Sequence, residues 1–339
     1  MDISATKSNS PRRPLLAFML SNVVYLLLVQ IWGVKLGPIS QDALVLMHQQ
    51  LPWPSALLLR WEVATFDNHY MAYHAVNLVL LYGCMITTLL FVRTTLQSVW
   101  WLGSLASVLL MANPLKDEAV LTLTGGTVLL PVFMTLVGLA CYAQHCQTGR
   151  AAPYLFSLSL IWFLQWTYPA LLPLSGLIVL YEWIVNPPER RYWIRVLPFV
   201  FVGATAIMHW GVLLNPGGVR GVLFPLVLVL YPIGYLPETL HALDASTSYR
   251  VAILFFVVLI VLGVGRKLRS RGYWFAIAGA IFWMALWPDI TKGSGHALDL
   301  EMLIPIVLVN LAFAALCGRM QTHPRWTRAV VTLTTLMCL

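Results

Sequence analysis

Residues 71–94 read MAYHAVNLVLLYGCMITTLLFVRT, and no Asp, Glu, Lys or Arg interrupts them before Arg93. An α-helix over that uncharged run is about 33 Å long, enough for a hydrocarbon core of about 30 Å. The polar exceptions are informative. His74 lies near the start, and the basic residue comes at the end. A lone histidine in such a place reads first as an interhelical hydrogen-bonding group and second as a ligand.

The same reading extends along the chain. Candidate spans cover 15–34, 71–94, 97–112, 119–142, 153–167, 169–185, 192–214, 249–265, 273–290, 300–318 and 326–339. The expected fold class is therefore an all-α, polytopic transmembrane bundle of about 11 spans. It forms one transmembrane domain over 1–339, with an extended first outer loop at 35–70. Pro169 between two short spans marks a tight turn. The run 15–34 follows Arg12 and Arg13, but it is too long for the core of a signal peptide and is read as the first span.

Composition supports this reading. Hydrophobic residues make up 59% of the 339 and charged residues only 10%, too little polar surface for a water-soluble domain of this size. A net charge of +8 would suggest nucleic acid in a soluble protein. Here the basic residues sit at helix ends and set orientation, so no nucleic-acid partner is expected. The five cysteines form no CxxC pair and read as reduced packing residues; no metal-ligand spacing is present.

With the N-terminus cytoplasmic, 15 of the 21 Lys and Arg residues fall inside, provided that 221–248 is a re-entrant or interfacial segment on the outer side. Pro225, Pro232 and Pro237 agree with an interrupted helix there. Ten of the thirteen acidic residues then lie at or near the outer face, Asp42, Glu62, Asp117, Glu118 and Asp299 among them. One reading is that outer loops are simply polar. The other is that separate loops converge on an outward-facing polar cavity.

Two stretches stand out on that face. Residues 35–70 interleave Asp42, His48, Arg60, Glu62, Asp67 and His69 with Trp53, Leu57, Leu58, Leu59 and Trp61. That mixture suits an interfacial helix with Trp and Leu at the headgroups and polar groups towards water. Residues 288–299 form a glycine-containing loop in which Lys292 or His296 can meet a phosphate. No duplicated half and no paired broken helices mark a transporter.

Four segments, in order, resemble the integral-membrane glycosyltransferases of the GT-C superfamily. The likeness is to the transmembrane O-mannosyltransferase-like group, here without its tetratricopeptide repeats. Tyr73-His74-Ala75-Val76-Asn77-Leu78-Val79-Leu80 is similar to that group's "yHlvNlll" signature. Asn113-Pro114-Leu115-Lys116-Asp117-Glu118-Ala119-Val120 resembles its "HPxxxEAV" turn, and Gly125 matches a glycine that precedes an arginine in the family. Pro173 with Tyr181-Glu182-Trp183, and Leu298-Asp299-Leu300-Glu301-Met302-Leu303-Ile304-Pro305, are similar to two later segments. Several charged family positions are replaced. The arginine after the glycine is Gly126, the lysine and glutamate of the third segment are Trp166 and Thr167, and the acidic pair of the first outer loop is Gln41-Asp42.

The resemblance implies a GT-C-like architecture, and the short loops without long glycosylatable domains point to a bacterial inner (cytoplasmic) membrane. The resemblance also implies transfer of a sugar from a polyprenyl-phosphate carrier to an extracytoplasmic acceptor. Asp42 would be the catalytic base, and Arg60, His74, Lys116, Asp117, Glu118, Lys292, His296 and Asp299 would bind or line the substrate. Membrane lipid and the lipid-linked sugar are the expected partners; no cofactor and no particular divalent metal is specified. The replaced charges leave a second class open, a catalytically degenerate relative serving as a structural subunit of a membrane-protein complex. A carrier or flippase is the third.

Overall fold

The computed structural model describes residues 53–66, 69–97, 100–112, 120, 125–186, 192–210, 270–285 and 297–320. The described residues are helical throughout, with no strand among them. Nine α-helices lie among the described residues: α1 Trp53–Phe66, α2 Tyr70–Leu96, α3 Trp100–Ala112, α4 Gly125–Thr148, α5 Ala151–Thr167, α6 Leu174–Val185, α7 Tyr192–Trp210, α8 Arg271–Ala285 and α9 Ala297–Met320. The spans expected at 15–34, 249–265 and 326–339, and the segment 221–248, lie outside the described residues.

Helices within Met71–Leu96, Gly125–Thr148 and Trp193–Trp210 are long and apolar enough to cross a membrane. Their surfaces agree. On α7, Trp193, Ile194, Leu197, Phe201 and Met208 are exposed, following the helical period along one face. On α5, Leu155, Phe156, Trp162 and Trp166 do the same. In water such stripes would be large apolar patches, whereas lipid tails cover them without cost.

The core lies between α2, α4 and α5 on one side and α3, α6, α8 and α9 on the other. Small residues set the closest approaches. A Cβ added at Gly103 of α3 would lie 2.8 Å from the backbone oxygen of Leu89 on α2, and Ser107 one turn later donates to Met85 O at 2.9 Å. Gly103→Ala is therefore expected to lower stability by about 1–3 kcal/mol through overpacking. The gain in helix propensity, about 1 kcal/mol, is too small to offset the upper part of that range. Thermal unfolding in detergent measures it, and an unchanged midpoint would show that the two helices separate freely.

The ends of the helices can be matched from their contacts. At one end, Gln147 of α4 donates to Thr94 O of α2, and a Cβ at Gly272 of α8 would meet Leu96 and Thr95. Arg271 donates to Val185 O of α6, Tyr154 of α5 to Arg195 O of α7, and Gly318 of α9 sits against Leu102 of α3. Five of the six arginines among the described residues, Arg93, Arg150, Arg195, Arg271 and Arg319, belong to this end. Arg60 alone belongs to the other. That asymmetry is the pattern expected of a membrane bundle.

The described spans match their expected ranges within a few residues, and α4, expected from 119, is described from Gly125 onward. It also runs on to Thr148, where Gly149 takes φ +67° and donates its N–H to His145 O. This is the left-handed glycine stop that ends many helices. The turn at Pro169 is a single 3-10 turn, Pro169–Leu171, whose last carbonyls are held by the Gln165 amide. From there α5 and α6 diverge, and α7 packs against both.

Candidate functional site

Helix α1 lies against the N-terminal end of α4, and its polar residues divide between an exposed face with Arg60 and a buried one with Ser55 and Glu62. Ser55, Leu59 and Glu62, spaced i, i+4, i+7, are buried, while Trp53, Leu57 and Trp61, spaced i, i+4, i+8, are exposed. The sequence reading placed the polar groups of this segment towards water. Beside a bilayer the aromatic stripe is the one that faces outward, so the polar stripe turns into the protein.

Two hydroxyls hold this docking. Ser55 donates to Thr127 O at 2.8 Å, so the 2.7 Å contact between Ser55 Oγ and Tyr168 OH has the tyrosine as donor. One turn further on, Glu62 faces the start of α4. Its side chain is fully buried, and neither carboxyl oxygen has a hydrogen-bond partner among the described residues. Burial pushes its carboxyl up to about 7, because the charged form loses hydration.

The neighbours of Glu62 come from α2 and α4. A Cβ at Gly126 would stand 3.2 Å from Glu62 Oε1, 3.1 Å from Asn77 Oδ1 and 3.1 Å from Leu58 Cδ2, so carboxyl and amide converge over a bare glycine backbone. Asn77 donates its amide to Val120 O at 3.2 Å, and His74 Nδ1 meets the same carbonyl at 3.1 Å. A carbonyl only accepts, so Nδ1 carries a proton. In the neutral ring Nε2 is then the lone-pair nitrogen, and it is buried without a partner among the described residues. The cluster thus holds a carboxyl poised near neutrality, an imidazole acceptor and an amide. The N-terminus of α4 adds a partial positive charge.

Of the residues singled out in the sequence, His74 belongs to this cluster. Arg60 is on α1 but exposed, away from the buried stripe. Asp299 lies in the first turn of α9, of which only the backbone is described. Asp42, Lys116, Asp117, Glu118, Lys292 and His296 lie outside the described residues. Glu62, Asn77, Ser55 and Tyr168 were not chosen from the sequence. The signal for the first and third was the double stripe of α1, which separates once lipid is taken as the outer solvent.

The replaced family positions have local partners. Trp166 stacks on His209 with ring centroids 4.3 Å apart, and Thr167 donates to Phe163 O within its own helix. No group of three or more metal-ligating side chains occurs among the described residues. In comparisons with known proteins, no family model, no curated protein and no solved structure matches this chain.

Proposed function

We propose that this chain transfers a sugar from a polyprenyl-phosphate carrier to a hydroxyl acceptor outside the cytoplasm, with Glu62 as the general base. The observation that carries the reading is the fully buried Glu62 carboxyl, partnerless among the described residues, beside Asn77, which shares the Val120 carbonyl with His74. A structural carboxylate at such a depth normally has donors arranged around it. One held near neutrality with its oxygens unused suits proton transfer at physiological pH.

In the proposed reaction the acceptor oxygen bonds to the anomeric carbon while the bond from that carbon to the phosphate oxygen breaks. Glu62 takes the hydroxyl proton, and the carrier leaves as polyprenyl phosphate with the electron pair. The N-terminal end of α4 and outer cations such as Arg60, Lys116 and Lys292 offset the phosphate charge. Helix α1, short and held at Ser55, lifts to admit substrate. The architecture proposed around this site is a GT-C-like bundle of about 11 spans in a bacterial inner membrane, with the arginine-rich end in the cytoplasm. Asp42, Asp117, Glu118, His296 and Asp299 remain proposed contributors from the outer loops.

One observation favours a second reading, that of a catalytically degenerate relative serving as a subunit of a membrane complex. Where the resembled family carries an arginine after its glycine, Gly126 is closed over at 3.1–3.2 Å by side-chain atoms of Leu58, Asn77 and Glu62, which would have to move to admit a long side chain. Envelope glycans of a deletion strain, compared by mass spectrometry, separate the two. The enzyme reading expects wild type to restore a missing sugar and Glu62→Gln, at equal expression, not to. Restoration by Glu62→Gln but not by Asp42→Asn moves the base to Asp42. A deletion that changes no glycan supports the subunit reading.

A further inference from the structure

At the arginine-rich end, the C-terminal halves of α2 and α4 leave an open groove of about 590 Å³ between them. Its wall towards the middle of the bundle holds Leu90, Val137 and Ala140, with the Thr87 hydroxyl turned back onto the carbonyls of its own helix. Its mouth is polar, with Arg93, Gln97 and Gln144. From Leu90 to Gln97 the helical rise is about 10 Å, so the surface changes from hydrocarbon-like to polar over the length of a lipid headgroup and its glycerol. No Asp or Glu lines it.

Arg93 is the charged member, and it is already oriented. Its guanidinium carbon lies 3.6 Å from the centroid of the Trp100 ring, and it makes no ion pair among the described residues. Stacking covers one face of the guanidinium and leaves its edge N–H groups in plane, the geometry that receives two oxygens of a phosphate. Gln97 flanks it in an unusual way. It closes α2 in the left-handed region, at φ 48° and ψ 42°, the only non-glycine residue with positive φ among those described. Gln144 stands on the facing wall, exposed, one turn before Thr148.

From these observations we infer that the groove between α2 and α4 binds an anionic phospholipid, with its phosphate on Arg93 and the first part of an acyl chain along Leu90, Val137 and Ala140. At the arginine-rich end of a membrane bundle, a groove whose lining runs from apolar to cationic is complementary to an acyl chain and its phosphate. Charge selects the headgroup. The inference is independent of the sugar-transfer reading, whose site lies at the opposite end of the bundle.

The test is native mass spectrometry of the full chain, released from detergent and titrated with phosphatidylglycerol or phosphatidylcholine of the same acyl chains. Wild type is expected to prefer the anionic lipid about fivefold, the preference one interfacial cation supplies. Arg93→Gln is expected to bring the ratio close to one, and Arg93→Lys to keep most of it. Leu90→Trp, which fills the apolar wall, is expected to weaken both lipids alike. Thermal unfolding confirms that each variant is folded before it is compared. Equal binding of the two lipids by wild type, or an undiminished preference in Arg93→Gln, overturns the inference. Full displacement of the lipid by millimolar glycerol phosphate overturns it too, since the groove would then hold free phosphate and not a lipid.

Discussion

Glu62→Gln is expected to make the protein more stable at neutral pH and to remove most of the pH dependence of its stability below pH 7. The direction follows from the buried carboxyl. In the folded protein Glu62 keeps its proton up to about 7, whereas in the unfolded chain it loses it near 4.5. Between those values the folded state binds more protons. Stability from this group is therefore fully present below about 4.5, falls as the pH rises, and is level above about 7. Gln is nearly isosteric, carries no charge at any of these pH values and removes the slope. His74 is the other titratable side chain of the cluster, so His74→Gln in the same background shows whether any residual slope is its own. Melting in detergent from pH 4.5 to 8 measures the effect. A Glu62→Gln profile parallel to wild type would mean that Glu62 has a donor after all, and that it is an ordinary structural carboxylate.

The second large effect is expected at the opposite end, from Glu182→Ala. Glu182 is fully buried where α4, α6 and α7 meet. Tyr142 donates to its Oε1 at 2.8 Å, Asn186 donates to its Oε2 at 2.7 Å, and Arg195 Nε stands 3.4 Å from Oε1. Tyr154 of α5 closes the arrangement by donating to Arg195 O at 2.9 Å. Glu182 has every partner that Glu62 lacks, and the contrast separates a structural carboxylate from a chemical one. Removing one member of a buried ion pair leaves the other uncompensated, so Glu182→Ala is expected to cost about 3–5 kcal/mol. Glu182→Leu combined with Arg195→Met removes both charges and is expected to recover most of that loss. Unfolding of the single and double variants by denaturing detergent checks both. A double variant no better than Glu182→Ala would show that the hydrogen bonds to Tyr142 and Asn186 matter more than the charge pair.

What the sequence made legible was set by the solvent. Hydropathy places α2 within two residues of its observed ends, because lipid-facing and core-facing positions are apolar alike and only the boundaries carry polar residues. It ends α4 too early for the same reason. The helix runs on through Gln144-His145-Cys146-Gln147-Thr148, which hydropathy reads as loop. Gly149 carried the correct stop, since only glycine enters the left-handed region there without strain. At the site, His74 was visible as a polar residue in an apolar run. Glu62 was visible only as one of ten outer acidic residues, because its neighbours in space are brought in from α2 and α4. A close approach such as Gly126 against Glu62 exists only after the helices pack.

The most direct test of the central claim is a transfer assay with purified protein in lipid vesicles, given a short-chain polyprenyl-phosphate-linked hexose and a hydroxyl acceptor. Released polyprenyl phosphate is measured for wild type and for Glu62→Gln. The account predicts release by wild type and a rate lower by about 100-fold or more in the variant, the usual contribution of a positioned general base. It also predicts a wild-type rate that rises with pH through about 7, as Glu62 ionises. Equal rates for the two proteins, or no release by wild type from any hexose carrier while the protein remains folded, would contradict it.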